Sequence, residues 1–256
     1  MVVRVKICGV RRPEEARWAV EAGASAVGVV FAPSPRRVSP EEARLIFREI
    51  PPFVVRVGVF VNENPSRVRE VARDCGLDAV QLHGDEDPEA YRFPGGPRII
   101  KAVRVGCQAP EEILAAVAGG SMDALLLDTL VPGTYGGSGL RLNWRTAAAL
   151  RRMWSGPLIL AGGLTPDNVG EAINAVRPYA VDVASGVERE GRKDPVRIRE
   201  FILRAYEASL ALEGEEGLGS GGTFPAAGRG RGGSVEQSRQ AGSRRGAQPG
   251  GGWLPG

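Results

Sequence analysis

Eight short apolar runs punctuate the chain, and each leads into a stretch with helical spacing. The runs are 2–7, 26–31, 54–60, 79–82, 98–103, 124–127, 158–161 and 180–183. They are rich in Val, Ile and Leu with few polar interruptions, as strands covered on both faces are. The intervening stretches open on helix-start signals. Pro13-Glu14-Glu15 places a proline early and acids in the first turn. In Ser39-Pro40-Glu41-Glu42, Ser39 suits the N-cap, Pro40 the first helical position and Glu42 the acid that reaches back. Asn64-Pro65, Asp87-Pro88, Pro110-Glu111, Asn143-Trp144 and Thr165-Pro166-Asp167 open further helices, and the last spans about 195–212. Eight strand–helix units predict an α/β chain closed into a (β/α)8 TIM barrel, a single domain over residues 1–212. A doubly wound open sheet is the alternative. It would carry a glycine-rich fingerprint after the first strand, and Cys8-Gly9-Val10 is not one.

The length of 256 residues suits one such barrel, and 43% hydrophobic residues supply its core. A net charge of only +3 gives no charge-based case for a nucleic-acid or membrane partner. Lysine occurs only at Lys6, Lys101 and Lys193. The cysteines are Cys8, Cys75 and Cys107; an odd number without a CxxC pair fits a reducing compartment, the cytoplasm, with neither a disulfide framework nor a zinc site. Neither a signal peptide nor a membrane span is expected from the apolar runs. From Glu213 the texture changes to Gly, Ser, Arg and Pro, with no apolar period. Residues 213–256 are therefore expected to be a disordered C-terminal tail. Its Arg-Gly pieces leave weak RNA contact as an alternative, and its composition favours a solvated tail.

In a barrel of this kind the chemistry sits at the C-terminal ends of the strands. Those positions are Cys8-Gly9, Ser34-Pro35-Arg36, Asn62, Gln81-Leu82-His83-Gly84, Lys101 and Arg104, Asp128-Thr129, Gly162-Gly163, and Asp182 with Ser185-Gly186. Two groups stand out. The glycines at 136–139, 162–163 and 186 would let backbone N–H groups approach a phosphate, or would simply make tight turns. Cys8 and Asp128 end the first and sixth strands, so they can face each other across the mouth. A thiol and a carboxylic acid placed so suit proton abstraction and proton donation. Asp128 would have to hold a proton to act as the acid. Otherwise Cys8 is a small core residue and Asp128 a cap or ion-pair partner. His83, the only histidine, fits a hydrogen-bonding role better than a catalytic one. Asp85-Glu86-Asp87 reads as a solvated helix start, and no cluster has metal-ligand spacing.

Taken in order, Lys6-Ile7-Cys8-Gly9, Ser34-Pro35-Arg36, Gln81-Leu82-His83-Gly84, Leu127-Asp128-Thr129, Gly136-Gly137-Ser138-Gly139, Ala161-Gly162-Gly163-Leu164 and Ala184-Ser185-Gly186-Val187-Glu188 resemble the phosphoribosylanthranilate isomerase family of tryptophan biosynthesis. The resemblance covers about residues 1–210. It implies an Amadori rearrangement without a cofactor or metal, in which N-(5′-phosphoribosyl)anthranilate becomes 1-(2-carboxyphenylamino)-1-deoxyribulose 5-phosphate. Asp128 would be the general acid at the furanose oxygen and Cys8 the general base at C2′. Arg36 would bind the anthranilate carboxylate. Gln81, His83, Gly137, Gly139, Gly162, Gly163, Ser185 and Gly186 would complete the substrate site, the glycines and Ser185 around the phosphate. The stretch before Arg36 is one residue shorter than the family pattern, Arg37 stands where a bulkier neutral residue is common, and Ala184 stands where serine is frequent. Monomer and homodimer both remain open. Three other readings are distinguishable by sequence. A dual-substrate sugar isomerase would carry aspartate in place of Cys8. A non-catalytic phosphate-binding barrel would tolerate loss of Cys8, Asp128 or Arg36. An RNA-associated role would rest on the tail alone.

Overall fold

Apolar runs that alternate with helices of matching length have few ways to bury both faces, and closure is one of them. A computed structural model describes residues 2–106, 108–117, 119–129 and 143–219, without the side chains of 215–219. Within it β1 (Arg4–Cys8), β2 (Ala26–Val30), β3 (Val55–Phe60), β4 (Ala79–Leu82), β5 (Arg98–Val105), β6 (Ala124–Thr129), β7 (Leu158–Leu160) and β8 (Ala180–Val183) form a closed barrel in sequence order. Every neighbouring pair is parallel, and β1 closes on β8 with Lys6 opposite Asp182. The barrel predicted from the run pattern is the fold observed.

Among the described residues, seven α-helices surround it: α1 (Pro13–Glu21), α2 (Pro40–Phe47), α3 (Pro65–Cys75), α4 (Pro110–Val117), α5 (Trp144–Met153), α6 (Val169–Val176) and α7 (Pro195–Gly219). The Ser39 capping box forms in full: its hydroxyl accepts from the Glu42 N–H at 3.2 Å while the Glu42 carboxylate accepts from the Ser39 N–H at 2.7 Å. Asn64 and Asn143 cap α3 and α5 as their sequences predict. Gly76 ends α3 in the left-handed conformation, with φ 61°.

Three expectations are corrected. Asp87-Pro88 opens only a single 3-10 turn, Pro88–Tyr91. Phe93-Pro94-Gly95-Gly96-Pro97 follows at once; a residue before proline is driven out of the helical region, and proline has no N–H to continue a helix. Second, Thr165-Pro166-Asp167 forms a turn, and α6 begins at Val169. The Asn168 side chain accepts from the Thr165 N–H at 2.8 Å and donates to the Gly163 carbonyl at 3.0 Å, which holds the chain in a loop for one more turn. Third, α7 continues past residue 212 to Gly219. Gly214, Gly217 and Gly219 cost about 1 kcal/mol each against alanine, which weakens a helix without breaking it. Residues 220–256, most of the expected tail, lie outside the described residues, as does Cys107.

The strands alternate with a period of two. Val5, Ile7, Leu125, Leu127, Leu158, Leu160 and Val181 turn outward and pack with Ala16, Ile46, Ile173, Ile198 and Phe201 of the helices. Val57, Ala79, Ile100, Ala102, Leu126, Ile159 and Ala180 fill the interior. The same alternation puts Lys6, Cys8, Gln81, Asp128 and Asp182 inside, above that apolar plug. Phe201 is fully buried on α7, the helix that packs on both α1 and α6. Phe201→Ala is expected to lower unfolding free energy by about 3–5 kcal/mol, read as a lower denaturant midpoint at unchanged slope.

Candidate active site

The C-terminal mouth of the barrel holds one pocket lined by Cys8, Gly9, Arg36, Gln81, His83, Asp128, Gly162, Gly163, Asp182, Ser185 and Gly186, among others. Every substrate or catalytic residue expected from the sequence is there, apart from Gly137 and Gly139, which lie outside the described residues. Cys8 ends β1 and is 7% exposed. Gly9 follows because the Arg36 stem crosses directly above it: a Cβ at Gly9 would sit 2.5 Å from the Arg36 Cδ. Gly28 on β2 makes room from the other side. A Cβ there would lie 3.0 Å from the Cys8 Sγ and 3.3 Å from the Lys6 Nζ, so the missing side chain lets thiol and ammonium share one space. Burial pushes the thiol pKa up. Lys6 opposes this, Asp182 adds to it, and the net shift is upward. The Lys6 ammonium thus offsets part of the burial penalty on a thiolate at Cys8.

A continuous hydrogen-bonded chain crosses the barrel at the pocket, from Asp182 through Lys6, Gln81 and His83 to Asp128. Lys6 Nζ donates to Asp182 Oδ1 and to Gln81 Oε1, each at 2.9 Å. Gln81 Nε2 meets His83 Nδ1 at 2.8 Å, and His83 Nε2 meets Asp128 Oδ2 at 3.2 Å. Asp128 Oδ1 accepts from the Thr129 N–H at 2.8 Å. All five side chains are buried. Burial depresses the Lys6 pKa, but Asp182 and Cys8 outweigh it, so the net shift is upward and the ammonium stays charged.

Arg36 stands over the thiol in a second network. Its Nε and Nη2 donate to Glu188 Oε1 and Oε2 at 2.8 and 2.7 Å, a bidentate fork. Lys193 Nζ donates to Glu188 Oε1 at 2.9 Å and to the Ala184 carbonyl at 2.8 Å. Glu188 and Lys193 come from a small hairpin, β9 (Glu188–Arg189) and β10 (Arg192–Lys193), in which Lys193 pairs with Glu188. Burial would raise the Glu188 carboxyl, yet the Arg36 hydrogen bonds and the Lys193 charge hold it at about 2. Two of the five guanidinium N–H groups of Arg36 are used in the fork, which leaves three for an incoming anion.

The glycines of the mouth are fixed by crowding. Gly162 has φ 83°, and a Cβ there would run into Thr129 and come within 3.3 Å of Asp128 Oδ1. A Cβ on Gly186 would strike the Leu164 carbonyl. Tight packing therefore requires glycine at both positions, whether or not a phosphate binds. Glu86 corrects another expectation. It is buried rather than solvated, and its carboxylate accepts from the Asn62 and Gly84 N–H groups and from Lys101 Nζ at 2.6, 2.8 and 3.1 Å. It ties the loop after β4 to β3 and β5.

With that geometry in hand, comparison with known proteins is direct. Residues 5–204 match the family model of N-(5′-phosphoribosyl)anthranilate isomerase. The chain belongs to that family. It is 53% identical over 206 residues to the N-(5′-phosphoribosyl)anthranilate isomerase of Geobacter sulfurreducens, covering 80% of this chain and 98% of the relative. With the Moorella thermoacetica isomerase it shares 51% identity over 207 residues, 81% of this chain and 91% of that one. Its fold matches the crystal structure of a phosphoribosyl anthranilate isomerase in complex with reduced 1-(o-carboxyphenylamino)-1-deoxyribulose 5-phosphate. The TM-score is 0.69 and the identity 45%, over 80% of this chain and 98% of that one. The protein is an isomerase of tryptophan biosynthesis, as the resemblance implied.

The sequence reading of this isomerase left Lys6, Glu188 and Lys193 without a site role. A signal for each was present. Lys6 lies two residues before Cys8, hence on the same inward face, and a charge inside a buried strand needs a partner. Glu190-Gly191 is a two-residue hairpin turn with φ 52° and 72°, which brings residues 188 and 193 opposite each other. Glu188 also gives a pH signature. Its folded pKa lies below the ordinary 4.5, so its stabilising contribution is complete above about pH 4.5 and is lost as pH falls toward 2. In denaturant titrations, wild type is expected to exceed Glu188→Gln in stability at pH 7, with the gap closing between pH 4.5 and 2. A gap independent of pH would contradict this.

Proposed function

We propose that the chain converts N-(5′-phosphoribosyl)anthranilate into 1-(2-carboxyphenylamino)-1-deoxyribulose 5-phosphate, with Asp128 as general acid and Cys8 as general base. The observation that carries this reading is that Cys8 on β1 and Asp128 on β6 line one buried pocket with Arg36 and the Gly162-Gly163 and Ser185-Gly186 turns. Asp128 gives a proton to the furanose ring oxygen; the C1′–O bond breaks and the nitrogen lone pair closes a C=N Schiff base. Cys8, as thiolate, takes the C2′ proton. The C–H electrons form the C1′=C2′ bond and return the imine pair to nitrogen, giving an enolamine that tautomerises to the ketone. The remaining N–H groups of Arg36 take the anthranilate carboxylate, and Glu188 holds the guanidinium plane for it. Phosphate is placed at Gly163, Ser185 and Gly186, at the strand ends where this fold usually binds it. Gly137 and Gly139 belong to the same assignment.

Lys6 gives the base its setting. An ammonium beside the thiol favours the thiolate, and it opposes the burial that disfavours it. The reading keeps the enzyme in the cytoplasm, without a cofactor and without a nucleic-acid partner. No helix among the described residues is long and apolar enough to cross a membrane.

The test uses the full chain as wild type, Cys8→Ala and Asp128→Asn. The fluorescence of freshly made phosphoribosylanthranilate is followed as it is consumed, and circular dichroism confirms that each variant is folded. Each substitution is expected to lower kcat by about 100- to 10,000-fold, the usual contribution of a positioned acid or base. A folded variant that keeps turnover within about tenfold of wild type would remove that residue from its role.

A further inference from the structure

The sequence reading gave Gln81 and His83 to substrate binding, but the structure engages both with other protein groups. We propose that Lys6, Gln81 and His83 form a one-way hydrogen-bond wire from Lys6, itself held by Asp182, to Asp128, which fixes the His83 proton on Nε2 and so positions the acid. This rests on the reading of Asp128 as general acid.

The direction follows from what each group can do. An ammonium only donates. Lys6 Nζ therefore requires an oxygen from Gln81, and Oε1 stands 2.9 Å away. A flipped amide would set its NH2 against the ammonium, two donors face to face. With Oε1 assigned to Lys6, the group at 2.8 Å from His83 Nδ1 is the amide nitrogen, which also only donates. Nδ1 must then be bare. A neutral imidazole carries its one proton on the other nitrogen, so Nε2–H donates to Asp128 Oδ2. The Thr129 N–H already holds Oδ1. Both carboxyl oxygens are pinned, the plane of the group is set, and each oxygen keeps a lone pair free for the proton it must carry to substrate.

The wire starts beside the base. Lys6 shares the space over Gly28 with the Cys8 thiol. One buried charge thus touches the base directly and orients the acid through two side chains. Lys6, Gln81 and His83 are positioning residues in this scheme. Burial matters: Lys6, Gln81 and His83 are 3%, 1% and 8% exposed, so each has protein groups as its main hydrogen-bond partners.

His83 is the only histidine, so its ring nitrogens can be read without assignment. The experiment is a long-range proton–nitrogen correlation spectrum of the full chain carrying nitrogen-labelled histidine, at neutral pH. The expected result is one bare nitrogen, Nδ1, and one protonated nitrogen, Nε2. A proton on Nδ1, on both nitrogens, or averaged between them would overturn the wire. Two variants read its consequence. Gln81→Glu turns an acceptor toward Nδ1 and is expected to move a proton onto it. Gln81→Met cuts the wire without adding charge and is expected to release the fixed tautomer. In both, kcat is expected to fall about tenfold or more, a part of what a positioned acid contributes, with KM within about threefold. An unchanged kcat, or a loss confined to KM, would return Gln81 and His83 to substrate binding. The spectrum of the wild type needs no turnover, so it is decided independently of the Cys8 and Asp128 assay.

Discussion

The barrel closes across a buried ion pair. Lys6 on β1 and Asp182 on β8 are register partners at the seam, and their charged atoms lie 2.9 Å apart at 3% and 8% exposure. Such a pair contributes little net stability, because desolvating both charges offsets their attraction. Its specificity is another matter. A slip of one residue would turn Asp182 outward and leave the buried ammonium without its carboxylate, at a cost of about 3–5 kcal/mol. The strand that carries Cys8 is therefore locked in one register by the residue two places before it. The position of Cys8 and the closure of the fold are set by the same contact.

How much of this could be read beforehand differs between backbone and side chains. All eight strands, the capping box at Ser39 and the caps at Asn64 and Asn143 were legible, because each rests on a local pattern of a few residues. Asp87-Pro88 misled because a good start signal says nothing about where a helix stops; Pro94 and Pro97, a few residues on, decided that. Residues 213–219 looked like tail, since their glycines lack an apolar period, yet they extend a long helix already nucleated and packed upstream. Of the residues named at strand ends, Cys8, Arg36, Gln81, His83, Asp128, Gly162, Gly163, Ser185 and Gly186 line one pocket, whereas Asn62, Lys101 and Arg104 do not. Lys6, Glu86, Glu188 and Lys193 were not singled out because their roles depend on partners distant in sequence. Lys6 meets residues 81 and 182, and Glu86 meets residues 62 and 101. Period-two alternation could have flagged Lys6; nothing local announces the burial of Glu86.

The site solves two placement problems with one device, a carboxylate paired with a cation. Asp182 holds Lys6, and Glu188 holds Arg36 and Lys193. In each case a long, flexible cation is fixed before substrate arrives. That lowers the ordering entropy charged to binding, since a free arginine or lysine loses on the order of 2 kcal/mol of rotamer freedom when immobilised. It also keeps N–H groups available, because neither Asp182 nor Glu188 uses every donor of its partner.

The two networks differ in what they transmit. Around Glu188 the bonds end in charged groups that can only donate, so the cluster fixes geometry and goes no further. Along the Asp182–Asp128 path, Gln81 and His83 each accept on one side and donate on the other, so direction is passed along. A glutamine suits that task because its oxygen and nitrogen are fixed in one amide plane; a histidine suits it because one proton must choose between two nitrogens. An acid that hands its proton to a ring oxygen needs its carboxyl plane set before the substrate enters. Backbone at Thr129 sets one oxygen, and the last link of the wire sets the other. Cys8 and Asp128, the base and acid of the proposed reaction, sit on strands β1 and β6, and Lys6 links them: it shares space with the thiol and starts the wire that ends on the carboxylate.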